Sequence, residues 1–165
     1  MVEGVEADDV IGTLAHQASE AGIDTIISSS DKDLTQLVRP RITMVNTMSN
    51  EKYDEAGVLA RFAVRPDQVL DLLTLTGDTV DNVPGVPKVG PKTAAKWLAQ
   101  YGTLDNLIAN AAEIPGVVGN NLREALDWLP QGKRLLTVKT DCELPVKATD
   151  LVEPEDTLHV PERFF

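Results

Sequence analysis

Apolar positions in the first third of the chain recur at helical spacing and then give way to short β-branched runs. Val10, Ile11, Leu14 and Ala18 fall on one side of a 3.6-residue period and Gly22 suits a C-cap, so residues 8–21 are read as an amphipathic helix. The run from Ile23 to Ser29 is short and β-branched and predicts a strand. Ser30-Asp-Lys-Asp33 is loop-like and leads into a short helical piece over Leu34 to Val38, before a second strand over Ile42 to Asn46. Helix, strand, turn, helix and strand in this order predict an α/β layer with a partial, parallel-type sheet. Ligand sites in such sheets favour the strand and helix ends.

From Asp54 onward the pattern is helical. Asp54 is placed to cap a helix through Phe62, and Pro66 suits the first turn of another running to about Leu75. Gly77 to Gly90 is rich in glycine and proline with ordered spacing, which reads as turns rather than a linker. Pro91 opens a helix with Ala94, Ala95 and Leu98 on its apolar face, and Tyr101-Gly102 ends it. Thr103 then caps Leu104 to Ile108, a further helix is expected from about Asn120 to Leu129, and Arg134 to Val138 continues apolar. The stretch from Pro145 to Phe165 carries prolines and scattered charge and is expected to be loosely held. The predicted division is an α/β part over 1–76, a mainly helical region over 77–145 and a tail over 146–165.

Composition narrows the chemistry. With 42% apolar and 25% charged residues over 165 positions, the chain has material for a core and no case for global disorder. Against 26 acidic residues stand 15 basic ones, a net charge of −11, which argues against an unassisted nucleic-acid or anionic-membrane surface. An anionic partner would need divalent metal or a local basic patch. The lone Cys142 forms no internal disulfide, and neither a basic-then-apolar leader nor a run of 18 apolar residues occurs, so the expectation is a cytoplasmic protein with no membrane partner. No strand precedes the helix-like acidic segment Glu6 to Asp9, so the start reads as the interior of a larger unit.

Three acidic groups stand out: Glu6 with Asp8 and Asp9, Asp31 with Asp33, and Asp78 with Asp81. The first gathers at a helix N-terminus, where the macrodipole favours negative charge. Asp31 and Asp33, two apart in an extended segment, leave on one face just beyond the first strand. Asp78 and Asp81, three apart, align on one helical turn. Taken singly, each group is equally well read as capping residues. Brought together, the seven carboxylates would repel one another unless a cation neutralised them. Hard oxygen ligands select Mg²⁺ or Mn²⁺, and two such ions about 4 Å apart clamp the attacking and leaving oxygens of a phosphodiester. Asp31, Asp33, Asp78 and Asp81 are the expected catalytic metal holders. These seven acids carry most of the net charge of −11.

A second element runs from Val83 to Lys96. Gly85 and Gly90 permit tight turns and close approach of backbone to phosphate, and the helix opened by Pro91 presents free N–H groups and its positive dipole end. No acidic residue occurs between Val83 and Leu104, whereas Lys88, Lys92 and Lys96 do, with Lys92 and Lys96 on one helical face. The contacts expected are to phosphate and not to base edges, so binding would follow backbone shape rather than sequence. The plainer alternative is a helical hairpin with solvated lysines.

Four stretches, Val5-Glu-Ala-Asp-Asp-Val-Ile-Gly12, Ser30-Asp-Lys-Asp-Leu34, Gly77-Asp-Thr-Val-Asp-Asn82 and Val83-Pro-Gly-Val-Pro-Lys-Val-Gly-Pro-Lys-Thr-Ala94, resemble in order and spacing the 5′ nuclease domain of bacterial DNA polymerase I. The resemblance runs from about Val2 to about Leu151 and includes Asn46 to Met48 and Val138 to Asp141. It implies that Glu6, Asp8, Asp9, Asp31, Asp33, Asp78 and Asp81 hold two Mg²⁺ or Mn²⁺ ions for hydrolysis of DNA or RNA at 5′ ends and flaps. It also implies that Gly85, Val86, Lys88, Val89, Gly90, Lys92, Thr93 and Lys96 belong to a helix-hairpin-helix that grips double-stranded or flapped DNA and can hold K⁺ through hairpin carbonyls. On this resemblance 1–76 is the C-terminal part of the nuclease core. A preceding nuclease segment of roughly a hundred residues, with further metal-binding acids and a basic helical arch, and a polymerase portion would belong to the full-length protein.

Two other readings remain open. One is a non-catalytic duplex-binding module that uses only the lysine-bearing hairpin. The other is an acidic α/β phosphatase acting on small esters, which the hairpin disfavours because small substrates need no duplex grip. His16 and His159 have no partnered spacing and are read as surface residues, while Trp97 and Trp128 are expected to pack in the helical half.

Overall fold

The computed structural model describes residues 5–152 and 156–161. In chain order its elements are α1 (Ala7–Glu20), β1 (Asp24–Ser28), β2 (Ile42–Val45), β3 (Lys52–Tyr53), α2 (Glu55–Phe62), α3 (Val69–Thr76), α4 (Pro91–Tyr101), α5 (Leu104–Ala109), α6 (Gly116–Ala125), α7 (Leu129–Leu136), α8 (Ala148–Leu151) and β4 (Thr157–Pro161). Short 3-10 turns lie at Lys32–Leu37, Pro66–Gln68 and Ala111–Glu113. The chain divides into two compact units: unit 1 takes the residues up to Val58 and those from Val138 on, and unit 2 takes Leu59–Thr137. Among the described residues no helix is long and apolar enough to cross a membrane.

Unit 1 is built on a four-stranded sheet of order β3-β2-β1-β4. β1 pairs in parallel with β2 and with β4, and β2 pairs antiparallel with β3. Thr25 stands opposite Ile42 and Leu158, and Ile27 opposite Met44 and Val160, so all six buried side chains line one face at period two. α1 packs on β1, β4 and α8, contributing Ile11, Leu14, Ala15 and Ala18. Its middle is pressed against the returning chain: a Cβ at Gly12 would lie 2.6 Å from the carbonyl oxygen of Lys139, so only glycine fits that approach.

Unit 2 is helical. α3 is the central helix, packed on both α4 and α7, and Leu72, Leu73, Leu75, Leu98, Leu104, Leu107, Leu122 and Leu129 are buried among these helices. Pro at the first turn and Gly at the C-terminus bound α4 as the sequence predicts. Thr103 caps α5, its hydroxyl accepting from the Asn106 N–H at 3.2 Å.

The structure departs from the sequence reading at several places. The last segment is not a loosely held tail over its described part: residues 148–151 form α8, and β4 is a strand in the sheet. Leu158 and Val160 face inward between exposed Thr157, His159 and Pro161, a two-residue alternation too short to outweigh the proline signal. Residues 153–155 and 162–165 of that tail lie outside the described ones. The helix expected from Asn120 begins at Gly116, because the Arg123 guanidinium ties it back onto the carbonyls of Ala111 and Ile114 at 2.7 and 3.0 Å. The apolar run from Arg134 is the end of α7, and the two-residue β3 had no sequence signal. His16 is half-buried, its Nδ1 accepting from the Arg39 guanidinium at 2.8 Å, whereas His159 is exposed. Trp97 is buried and Trp128 half-buried.

Candidate functional site

In unit 1, five acids are gathered by two chain turns. Glu6 is the N-cap of α1, with Asp8 and Asp9 in its first turn. Asp31 caps the 3-10 turn that follows β1, its Oδ1 accepting from the Asp33 N–H at 2.9 Å, and Asp33 lies inside that turn. Asp31 and Asp33 are therefore not two side chains of an extended segment. Asp31 does the capping that the plainer reading allowed, and it still faces Asp8.

The carboxyls of Asp8 and Asp31 lie within hydrogen-bonding reach of each other. Partial burial, then the charge of Asp31, and lesser contributions from Glu6 and Asp9 push the Asp8 carboxyl up to about 6. Two acids from separate elements are thus held together at an electrostatic cost. The donor set is carboxylate oxygen throughout, which fits a hard divalent cation. Asp33 is also withdrawn from water, with 8% of its surface exposed.

Asp9 has a different task. It is buried, with 8% of its surface exposed, and both its oxygens accept backbone N–H bonds, Oδ1 from Lys139 at 2.9 Å and Oδ2 from Glu6 at 3.2 Å. Thr13 and Gln36 hold the same returning segment: the Thr13 hydroxyl accepts from the Cys142 N–H at 3.2 Å, and Gln36 Oε1 from the Val138 N–H at 3.0 Å. Asp9 therefore orients the acidic helix end. Contacts 130 residues apart in the chain left no local signal for this role.

In unit 2, Asp78 and Asp81 do not lie on a helical turn. α3 ends at Thr76, Gly77 takes φ 82°, and Asp78 pairs with Val83 in a two-residue antiparallel bridge, with N···O distances of 2.6 and 2.7 Å. Between them the chain turns tightly, and Asp78 Oδ1 accepts from the N–H groups of Val80 and Asp81 at 2.8 and 3.3 Å. The glycine that ends the helix and the Asx-type turn override the i, i+3 helical spacing. Gly77 and Gly85 meet back to back: a Cβ on Gly77 would lie 2.5 Å from Val83 O, and one on Gly85 2.5 Å from Gly77 N. The acid-bearing turn and the lysine-bearing hairpin are thus one rigid piece of backbone.

The hairpin continues through Val86, whose N–H bonds Leu75 O at 2.8 Å, to Gly90, the N-cap of α4. Lys88, at φ 65°, Lys92 and Lys96 are exposed, and none has an acidic partner among the described residues. Gly90 is exposed and Thr93 half-buried, so the α4 N-terminus is open. Gly85 is buried, and the side chains of Val86 and Val89, with 2% and 6% of their surface exposed, form the hairpin's own core. Asn121 of α6 braces the hairpin through Pro87 O at 2.8 Å. A buried acid that the sequence did not flag, Asp71, ties α3 to its neighbours, accepting from the Leu104 N–H at 3.0 Å and pairing with Lys133 at 2.9 Å.

Similar solved structures share this fold. The chain aligns with T5 5′-exonuclease bound to divalent zinc ions at TM-score 0.74 and 22% identity, over 82% of this chain and 51% of that one. It aligns with bacteriophage T5 flap endonuclease in a pseudo-enzyme-product complex with DNA and metal ions at TM-score 0.77 and 21% identity, over 84% and 52%. At that identity the likeness establishes the α/β 5′-exonuclease fold.

The family follows from the sequence matches. Residues 1–63 match the family described as 5′-3′ exonuclease, N-terminal resolvase-like domain, and residues 64–157 the family described as 5′-3′ exonuclease, C-terminal SAM fold. The chain belongs to the 5′-3′ exonuclease family. It is 43% identical over 93% of its length to DNA polymerase I of Rhizobium leguminosarum, and 38% identical over 90% to the 5′-3′ exonuclease of Aquifex aeolicus. It spans 15% of the first relative and 50% of the second.

Proposed function

We propose that this chain is the metal-holding and duplex-gripping portion of a structure-specific 5′-3′ exonuclease or flap endonuclease of DNA polymerase I type, acting in DNA replication and repair. Its substrate is double-stranded or flapped DNA bound without regard to sequence. The observation that carries the reading is the juxtaposition of Asp8 and Asp31, two carboxylates held together by α1 and the turn after β1, a costly arrangement that a divalent cation relieves. Within unit 1 the proposed ligands are Glu6, Asp8, Asp31 and Asp33, with Asp9 as anchor; within unit 2 they are Asp78 and Asp81.

Mg²⁺ or Mn²⁺ bound there would supply charge neutralisation of the phosphodiester and activation of water. The protein's own part is to hold and orient. The Asx-type turn fixes Asp78 and frees Asp81 to solvent, the cap fixes Asp31, and the Asp9–Lys139 bond fixes the start of α1. Lys88, Lys92 and Lys96, with the open N-terminus of α4, take the phosphates of the duplex. Hairpin carbonyls are the donors for K⁺, although that of Pro87 is taken by Asn121. The cytoplasm is the proposed compartment.

The test is cleavage of a labelled 5′-flapped duplex in Mn²⁺. Hydrolysis by the chain, abolished in Asp78→Asn, supports the reading. Salt-sensitive duplex binding with no Mn²⁺ binding by calorimetry replaces it with the non-catalytic module.

A further inference from the structure

The turn that carries Asp78 and Asp81 also carries the most exposed large apolar side chain among the described residues. Val80 is 91% exposed, at the tip of the turn between the two acids. Its backbone is not free to fold the side chain away. The Val80 N–H is held by Asp78 Oδ1 at 2.8 Å, the turn is closed by the Asp78–Val83 bridge, and Asn82 takes φ 58° to complete it. A β-branched side chain adds stiffness at χ1. At that exposure the Val80 side chain lies outside the core of unit 2, and the hydrophobic effect favours covering it.

We propose that Val80 is a substrate-contact residue that packs against the sugar of the nucleotide whose phosphate the metal acids hold. This inference rests on the proposed nuclease reading and deepens it. Asp78 and Asp81 flank Val80 in the same four-residue turn, so whatever phosphate they address through a cation comes close to the valine methyls. The first apolar surface a strand offers beside a phosphate is the carbon skeleton of the attached sugar. That surface is the same for every base, so the contact would position the strand without reading its sequence.

The experiment measures binding of the chain to a fluorescein-labelled 5′-flapped duplex by anisotropy, with Ca²⁺ replacing Mn²⁺. Val80→Thr, which keeps the shape and exchanges a methyl for a hydroxyl, is expected to weaken binding about threefold, Val80→Ser about tenfold, and Val80→Ile not at all. Thermal unfolding should be unchanged in all three, since the side chain touches nothing in the fold. Removing the base at the junction, leaving the sugar, should preserve the difference between Val and Ser. Equal affinity of wild type and Val80→Ser overturns the inference, and loss of the difference at the abasic junction overturns its assignment to the sugar. A wild-type chain whose affinity for flapped DNA ignores Ca²⁺ overturns the metal reading beneath it, a failure distinguishable because it precedes any comparison of variants.

Discussion

The two units of this chain differ in how they handle charge. Unit 2 has eight acidic and eight basic residues, so the whole net charge of −11 lies in unit 1. Unit 1 concentrates like charges: Asp8 faces Asp31 just beyond the end of β1, with Glu6 and Asp9 close by. Unit 2 separates and pairs them. Its buried acid, Asp71, is matched by Lys133 and a backbone N–H, half-buried Asp78 and exposed Asp81 sit on a turn of their own, and three lysines with no acidic partner among the described residues line the hairpin beyond. A folded unit that leaves repulsion unrelieved keeps it for a ligand, whereas a unit that pairs its buried charge uses it for stability. On the proposed function, unit 1 would carry most of the cation binding and unit 2 the phosphate binding.

The largest expected effect is on metal binding: Asp33→Asn and Asp78→Asn are each expected to lower Mn²⁺ affinity at least tenfold by calorimetry, and an unchanged affinity would remove that acid from the proposed ligands. Next in size is Asp71→Ala, which strands Lys133 and the Leu104 N–H and should cost about 3 kcal/mol in urea unfolding. A cost under about 1 kcal/mol would show that unit 2 does not depend on its internal pair.

Asp8→Asn is expected to act with opposite sign in the absence and presence of metal. The folded-state pKa of Asp8 is raised to about 6 from 3.8, so the folded protein holds a proton the unfolded chain has lost, and stability falls as pH rises from about 4 to about 6. Without metal, the variant should gain about 1 kcal/mol at pH 8, a value reduced for partial exposure, and nothing near pH 3.5. With Mn²⁺ at pH 8 it should be less stabilised than wild type. Thermal unfolding at the two pH values checks both signs. Smallest is the effect of Lys88→Ala or Lys92→Ala, a few-fold loss of duplex affinity with the salt slope reduced by about 0.9 each and no change in the unfolding midpoint. An unchanged salt slope would remove that lysine from the interface.

Local rules made much of this molecule legible. Period-3.6 apolar positions located α1 and α4, Pro66 marked the turn that leads into α3, a proline at the first turn set the start of α4, and Thr103 marked the cap of α5. The four motifs, being contiguous, placed the chain in its family before any geometry was known. Other features depended on partners distant in sequence. β4 is a strand because β1 offers a parallel edge to two inward aliphatic residues, and Asp9 is an anchor because Lys139 returns to it. The side chains of Val86 and Val89 turn inward because the hairpin needs a core of its own, and Asp78 left its helical turn because Gly77 ends α3. The sequence alone determined which residue types gather in which motifs, since turns, caps and periodicity are decided within a few residues. Only the tertiary structure decided which acids face one another and which are tied to backbone, because those choices depend on burial and on hydrogen bonds between segments far apart in the chain.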